Sequence, residues 1–295
     1  MDWFNSLGLK VKILSTVAFA CLICAVIALI TAIYFNEQEF RSGLIQKSRT
    51  IHSRLDVAAK YVANQGGLQT MSDRYVQKYQ DSSQLTDNDK KVILQQVPIY
   101  AAMKIGAEDA DKEQYKFRVF SNEPRRKENL ATADEMEIFK KFEADPSLGE
   151  LVSDSGDIIT VYRPVRLRDS LGCMTCHGHP SKSPWGNGKD TLGYPMEDWK
   201  DGRLHGVFAI SNDVNMIKSA GGDNVSSNAT IYLGVFVAIG GILALGLATL
   251  IMRKPLAGLQ QVVKALGESG HQVSGAAEQI SESAQGLSQA TSIQA

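Results

Sequence analysis

The clearest chemistry in this 295-residue chain lies in Cys173-Met174-Thr175-Cys176-His177. C-x-x-C-H is the attachment pattern of a c-type haem. Two thiols at this spacing form thioethers to the two vinyl groups of one haem, and the next residue then sets an imidazole nitrogen on the iron. Cys173 and Cys176 are therefore expected to hold one covalent haem c, with His177 as its proximal ligand. Such attachment takes place outside the bacterial cytoplasm. Three other readings compete. A structural disulfide leaves His177 unexplained. A zinc site needs two more ligands; His179 and His205 are available, but no second cysteine pair is. A thioredoxin-like redox pair would follow a βαβ pattern, which is missing. For the sixth iron position the sequence favours Met103, set among Ile99, Tyr100, Ala101 and Ala102, over Met71, His205 and His52. Methionine would raise the potential, histidine would lower it, and an open site would admit water or a diatomic gas.

The elements that must position this motif begin with two long apolar runs. The first covers residues 13–35 and the second residues 230–252. At 1.5 Å per residue each matches a hydrocarbon core of about 30 Å. A cleaved signal peptide is the rival for the first run, given Lys10 and Lys12, but the stretch exceeds an h-region and has no clear cleavage site. Cys21 and Cys24 lie inside it and read as small buried apolar residues. Lys10 and Lys12 precede the first run, Arg253 and Lys254 follow the second, and Asn36-Glu37-Gln38-Glu39 lies at the far end of the first. By the positive-inside rule both termini are cytoplasmic, in residues 1–12 and 253–295, and residues 36–229 are outside. The net charge of −1 gives no field favouring nucleic acid or anionic lipid.

The intervening segment suits one compact domain. Phe40, Leu44, Ile51, Leu55 and Val62 recur at helical spacing, so a long helix continues outward from the first run and ends at Asn64-Gln65-Gly66-Gly67. Further helices are expected over residues 87–93 and from Pro98 through Met103. Residues 117–120, 151–152, 158–163 and 204–210 read as strands, 134–142 as a helix, and Asp154-Ser155-Gly156-Asp157 as a hairpin turn. The fold class is thus α+β.

Around the motif the chain resembles the periplasmic c-haem sensor domain of some bacterial chemotaxis receptors and histidine kinases. The residues that carry the likeness are Val97-Pro98, Phe117-Arg118-Val119, Asn122-Glu123-Pro124-Arg125, Tyr162-Arg163-Pro164-Val165-Arg166, the haem motif through Pro180, Trp185-Gly186, Met196-Glu197-Asp198-Trp199-Lys200, Gly202 and His205-Gly206-Val207-Phe208. The resemblance implies a PAS-like fold with haem at the sheet edge. It departs at Arg126-Lys127, where Asn-Pro is commoner. Some relatives ligate iron by a cysteine just before the Val-Pro pair; Val92-Ile93-Leu94 stand there, so that ligation does not carry over. Arg118, Arg125, Arg163 and Arg166 are candidates for the haem propionates, since a guanidinium offers paired donors to a carboxylate. Solvated or salt-bridged arginines are the alternative for each.

After Pro255-Leu256, which resembles the opening of a HAMP linker, Leu259, Leu266, Val273, Ile280 and Leu287 recur every seven residues. Residues 272–281 resemble the start of the signalling helix of methyl-accepting chemotaxis proteins. That likeness implies a homodimer in the bacterial inner membrane, docking a chemotaxis histidine kinase and coupling protein through a distal tip that this sequence lacks, as a truncated receptor would. Glu278, Gln279 and Glu282 could be adaptation methylation sites, though ordinary exposed polar residues fit them better. No Ser/His/Asp constellation, paired carboxylates or phosphate loop stands out, so the chain reads as a binding and signalling module, not an enzyme. Two alternatives stand beside it: a membrane-anchored electron-transfer cytochrome, and the input half of a haem sensor histidine kinase.

Overall fold

A computed structural model describes residues 8–222 and 224–293 of the chain. They divide into two compact units, Phe35–Ser227 on one hand and Met1–Tyr34 with Asn228–Ala295 on the other. Among the described residues, the second unit is helical. Helix α1 (Leu9–Asn64) begins in it, and α8 (Asn224–Ile293) supplies the rest. A window of α1 reaches a mean hydropathy of 2.8, and Ile231–Ile251 of α8 reaches 2.4, so both are long and apolar enough to cross a membrane. Their large side chains, Phe19 and Ile30 in α1 and Phe236 and Ile242 in α8, are exposed. A helix that is apolar all round suits lipid on every side. The heptad positions Leu259, Leu266, Val273 and Ile280 also lie on α8 and are exposed; the side chain of Leu287 is outside the described residues.

In the unit Phe35–Ser227, the remainder of α1 is followed by α2 (Gly67–Lys78), α3 (Asp87–Gln95), α4 (Pro98–Ala107), β1 (Lys116–Phe120), α5 (Ala133–Ala144), β2 (Leu151–Asp154), β3 (Ile158–Arg166), α6 (Met174–His177), β4 (Leu204–Asp213) and α7 (Val214–Ile217). The four strands form one antiparallel sheet in the order β1-β4-β3-β2. Strand alternation sends successive side chains to opposite faces. One face carries Phe120, Tyr162, Val207 and Ala209, covered by Phe139 and Phe142 of α5. The other carries Phe208 and Ile159, covered by α1, which buries Leu44, Ser48, His52, Leu55 and Ala59 along a single stripe. Polar pegs fix the register of α1 on the sheet. The Asn212 amide donates to Ser48 Oγ at 2.7 Å, and His52 Nε2 donates to the Val161 carbonyl at 2.9 Å.

The hairpin turn forms as its sequence suggests, with Gly156 at φ 91° and its N–H donating to Asp154 Oδ1. Helix α3 starts on a capping box between Thr86 and Asp89. Helix α2 has no counterpart in the sequence reading. Gly66 turns the chain at φ 65°, Leu68 and Tyr75 then pack with Leu85 and Ile93, and the buried Ser72 bonds Thr191.

His52 gives this fold an acid-sensitive joint. Burial, opposed by its carbonyl bond and aided by the nearby Arg163 charge, pushes it from its ordinary 6.5 to about 4. Between those two values the unfolded chain binds a proton that the fold refuses. The stability contributed is therefore full above pH 6.5 and is lost as pH falls toward 4, by about 3 kcal/mol. Unfolding midpoints at pH 7 and pH 4.5 should differ more for the wild type than for His52→Gln. Equal differences would show that His52 contributes nothing to the acid sensitivity.

Candidate functional site

Beyond β3 the chain turns at Gly172, left-handed at φ 71°, and enters the single helical turn α6. Cys176 and His177 both donate their N–H to the Cys173 carbonyl, at 3.2 and 3.0 Å. One turn of helix sets residues three and four apart on a common face, and Cys173, Cys176 and His177 indeed line one cavity. Gly178 closes the turn: a Cβ there would meet the Met174 carbonyl oxygen at 2.4 Å, so only glycine fits behind the motif without a backbone shift. Cys173 and Cys176 are not joined to each other by a disulfide, and burial pushes both thiols up, Cys176 to about 12. Among the described residues no cluster of three or more His, Cys, Asp or Glu could hold a metal ion, and His179 turns instead to Ser181.

The cavity measures about 470 Å³, in the range of small-molecule and cofactor sites. Its apolar wall comes from Leu94, Val97 and Ile99 around α3 and α4, with Met103 and Phe208 beside them. Lys90, Arg126, Arg166 and Arg168 add positive charge to its lining. Two thiols and an imidazole from one helical turn, with apolar residues and cations in the same lining, fit a flat apolar macrocycle bearing carboxylates.

The His177 ring is held on three sides. Its Nδ1 lies 2.9 Å from Glu197 Oε2, its face stacks on Trp199 at 5.1 Å and 7°, and His205 lies 4.9 Å away. Burial would raise the Glu197 carboxyl, but the His177 hydrogen bond and the Arg125 charge hold it below the usual range. Glu197 is thus an anion and Nδ1 the donor, which leaves Nε2 as the nitrogen available for coordination. Burial, with His177 nearby, pushes His205 down to about 4, so its ring is neutral.

Arg125 ties the surroundings together. It donates to Asp190 Oδ2 at 2.6 Å, to Glu197 Oε1 at 3.0 Å and to the Cys176 carbonyl at 3.1 Å. Asp190 is fully buried, and its other oxygen accepts the N–H groups of Leu192 and Tyr194.

The sequence candidates thus part company. Cys173, Cys176, His177, Met103, Arg125 and Arg166 all line the cavity. Arg125, however, is committed to Asp190 and Glu197, and Arg166 shares its guanidinium with the Phe142 carbonyl. Arg163 pairs with Glu150, which also binds Arg49, and is not among the residues that line the cavity. Arg118 likewise turns to Glu135 and two carbonyls. Of the other sixth-ligand candidates, His52 is bonded to Val161, Met71 packs in the cluster around Leu68 and Ile93, and His205 shares the His177 side. Sequence reasoning gave no role to Glu197, Asp190, Arg126 or Arg168. Only Glu197 had a signal, its place within Met-Glu-Asp-Trp.

Comparison with solved structures finds the cyanobacterial haem protein Tll0287, whose crystal structure overlaps at 17% identity and a TM-score of 0.40, covering 58% of this chain and 95% of that one. No protein with a curated description matches. The Tll0287-like family matches residues 37–212, more than half of the sequence, and the chain therefore belongs to the Tll0287-like family.

Proposed function

We propose that the chain is the sensor half of a transmembrane chemoreceptor that carries one c-type haem, held outside the membrane by thioethers from Cys173 and Cys176 and by His177 Nε2. The observation that carries this reading is the convergence of both thiols and the imidazole in the lining of one 470 Å³ cavity. Membership of a family named for Tll0287, a protein described as a cyanobacterial haem protein, points the same way. Bound haem would supply an iron that changes oxidation state or, with its sixth position open, takes a diatomic ligand.

The chain's own residues do the rest. Leu94, Val97 and Phe208 present apolar side chains to the cavity, Met103 lines it as a candidate sixth ligand, and Lys90 and Arg166 offer donors to propionates, while Arg168 pairs with Asp56 and Arg126 with Glu128. Lys10, Lys12, Arg253 and Lys254 support a two-pass topology with both termini in the cytoplasm of a bacterial inner-membrane protein. The exposed heptad residues of α8 suit a parallel coiled coil with a second copy, and a homodimer of this kind is the form that engages a chemotaxis kinase and its coupling protein. A change at the cavity biases signalling only by its difference in free energy between two conformations.

A test uses the protein in membranes, with Leu266→Cys introduced in a Cys21→Ala, Cys24→Ala background and a bismaleimide as cross-linker. Copies should cross-link through residue 266, and carbon monoxide added to the reduced protein should change the yield. A monomer under all conditions contradicts the dimer, and an unchanged yield contradicts haem-driven signalling.

A further inference from the structure

Metal-bound histidines pass their second ring N–H to an acceptor, and the identity of that acceptor tunes the metal. The acceptor here is an anchored carboxylate. The Glu197 backbone is pinned on both sides, by Met196 N on the Gly188 carbonyl at 3.0 Å before it, and by Asp198 N on the Gly178 carbonyl at 3.2 Å and Trp199 N on the His177 carbonyl at 2.8 Å after it. Asp198 sits left-handed at φ 56°, a conformation few side chains adopt. With it there, Glu197 meets the edge of the His177 ring while Trp199 covers its face. Arg125 grips both Glu197 oxygens, Nε on Oε1 at 3.0 Å and Nη2 on Oε2 at 3.2 Å.

Two anions, Asp190 and Glu197, share the single cation Arg125 beside the ring, so the trio carries one net negative charge. Asp190 has no exposure and Glu197 is half-buried, which screens that charge weakly.

We infer that Glu197, oriented by Arg125, is a positioning residue that strengthens His177 as a donor to iron and thereby lowers the reduction potential of the haem. The inference rests on the haem reading above and deepens it. An anionic acceptor pulls the Nδ1 proton toward itself and raises electron density at Nε2, which favours the ferric state over the ferrous. If the iron senses redox state, Glu197 sets the ambient potential at which it responds.

The test is a redox titration of the haem-loaded, detergent-solubilised full chain, wild type against Glu197→Gln and Glu197→Asp. Covalent haem content and the visible spectrum are recorded for each. Glu197→Gln keeps shape and hydrogen bonding but removes the charge, so its potential should shift upward with the coordination spectrum unchanged. Glu197→Asp keeps the charge but withdraws it from Nδ1, and should shift the potential upward by less. Loaded variants with an unmoved or lowered potential overturn the inference. So does loss of covalent haem from both variants, which would make Glu197 a requirement for attachment. A wild type that takes up no covalent haem defeats the underlying reading itself, and that result is distinct from either.

Discussion

Arg125→Met is expected to destabilise the domain by about 3–5 kcal/mol, the cost of removing one partner from a buried ion pair. Asp190 would be left charged with no solvent exposure, having lost the 2.6 Å bond from Arg125. The backbone N–H groups of Leu192 and Tyr194 would still reach it, but neither carries charge. The loop that closes over Cys176 would also lose its anchor, because Arg125 binds the Cys176 carbonyl as well. In a domain of this size the thermal midpoint should fall by roughly 6–20 °C. Lys112→Ala serves as the control. Lys112 pairs with Asp109 in full exposure and should cost well under about 1 kcal/mol. Equal shifts for the two variants would show that the Arg125 network is not a structural keystone.

The second large effect concerns the motif. A Cys173→Ala, Cys176→Ala double variant should lose all covalent haem, and either single variant should retain a haem held by one thioether. The two differ in setting: Cys176 is buried beneath the Arg125 loop, whereas Cys173 is half-buried with Leu171 and Phe208 near it. His177→Ala should keep both thiols but lose the proximal nitrogen, and Glu197 and Trp199 would then face an empty space. The reading predicts covalent haem with altered coordination, or none, in that variant. A His177→Ala protein with the wild-type spectrum would place the iron ligand elsewhere.

Much of this was legible because it is local. The α1 stripe, the Thr86 cap and the Asp154–Gly156 turn each depend on residues within a few positions of one another. The motif belongs with them, since one helical turn is enough to set Cys173, Cys176 and His177 on one face. What surrounds the motif is not local. Arg125 stands far before it in the chain, Asp190 and Glu197 follow it, and no periodicity links the three. The arginines show the same limit. A register shift between Val165 and Arg166 interrupts the β3–β4 ladder beside the cavity, while Arg163 stays in register opposite Phe208 and meets Glu150. The strand expected from the sequence ends at residue 163, so the alternation that puts Arg163 and Arg166 on opposite faces of β3 does not reach the pair. Helix α2 escaped notice for another reason. It follows Gly66-Gly67, and of its three buried residues one is a serine, Ser72, bonded to Thr191. A stripe of leucines would have marked it; Leu68, Ser72 and Tyr75 do not.

Intact mass reads out the covalent bond between haem and chain. The protein is produced with periplasmic haem-maturation machinery, stripped with acidified organic solvent and weighed. The expected result is the mass of the chain plus one haem, with that increment lost in the Cys173→Ala, Cys176→Ala variant. A bare polypeptide mass for the wild type, with or without haem in the extract, would contradict it.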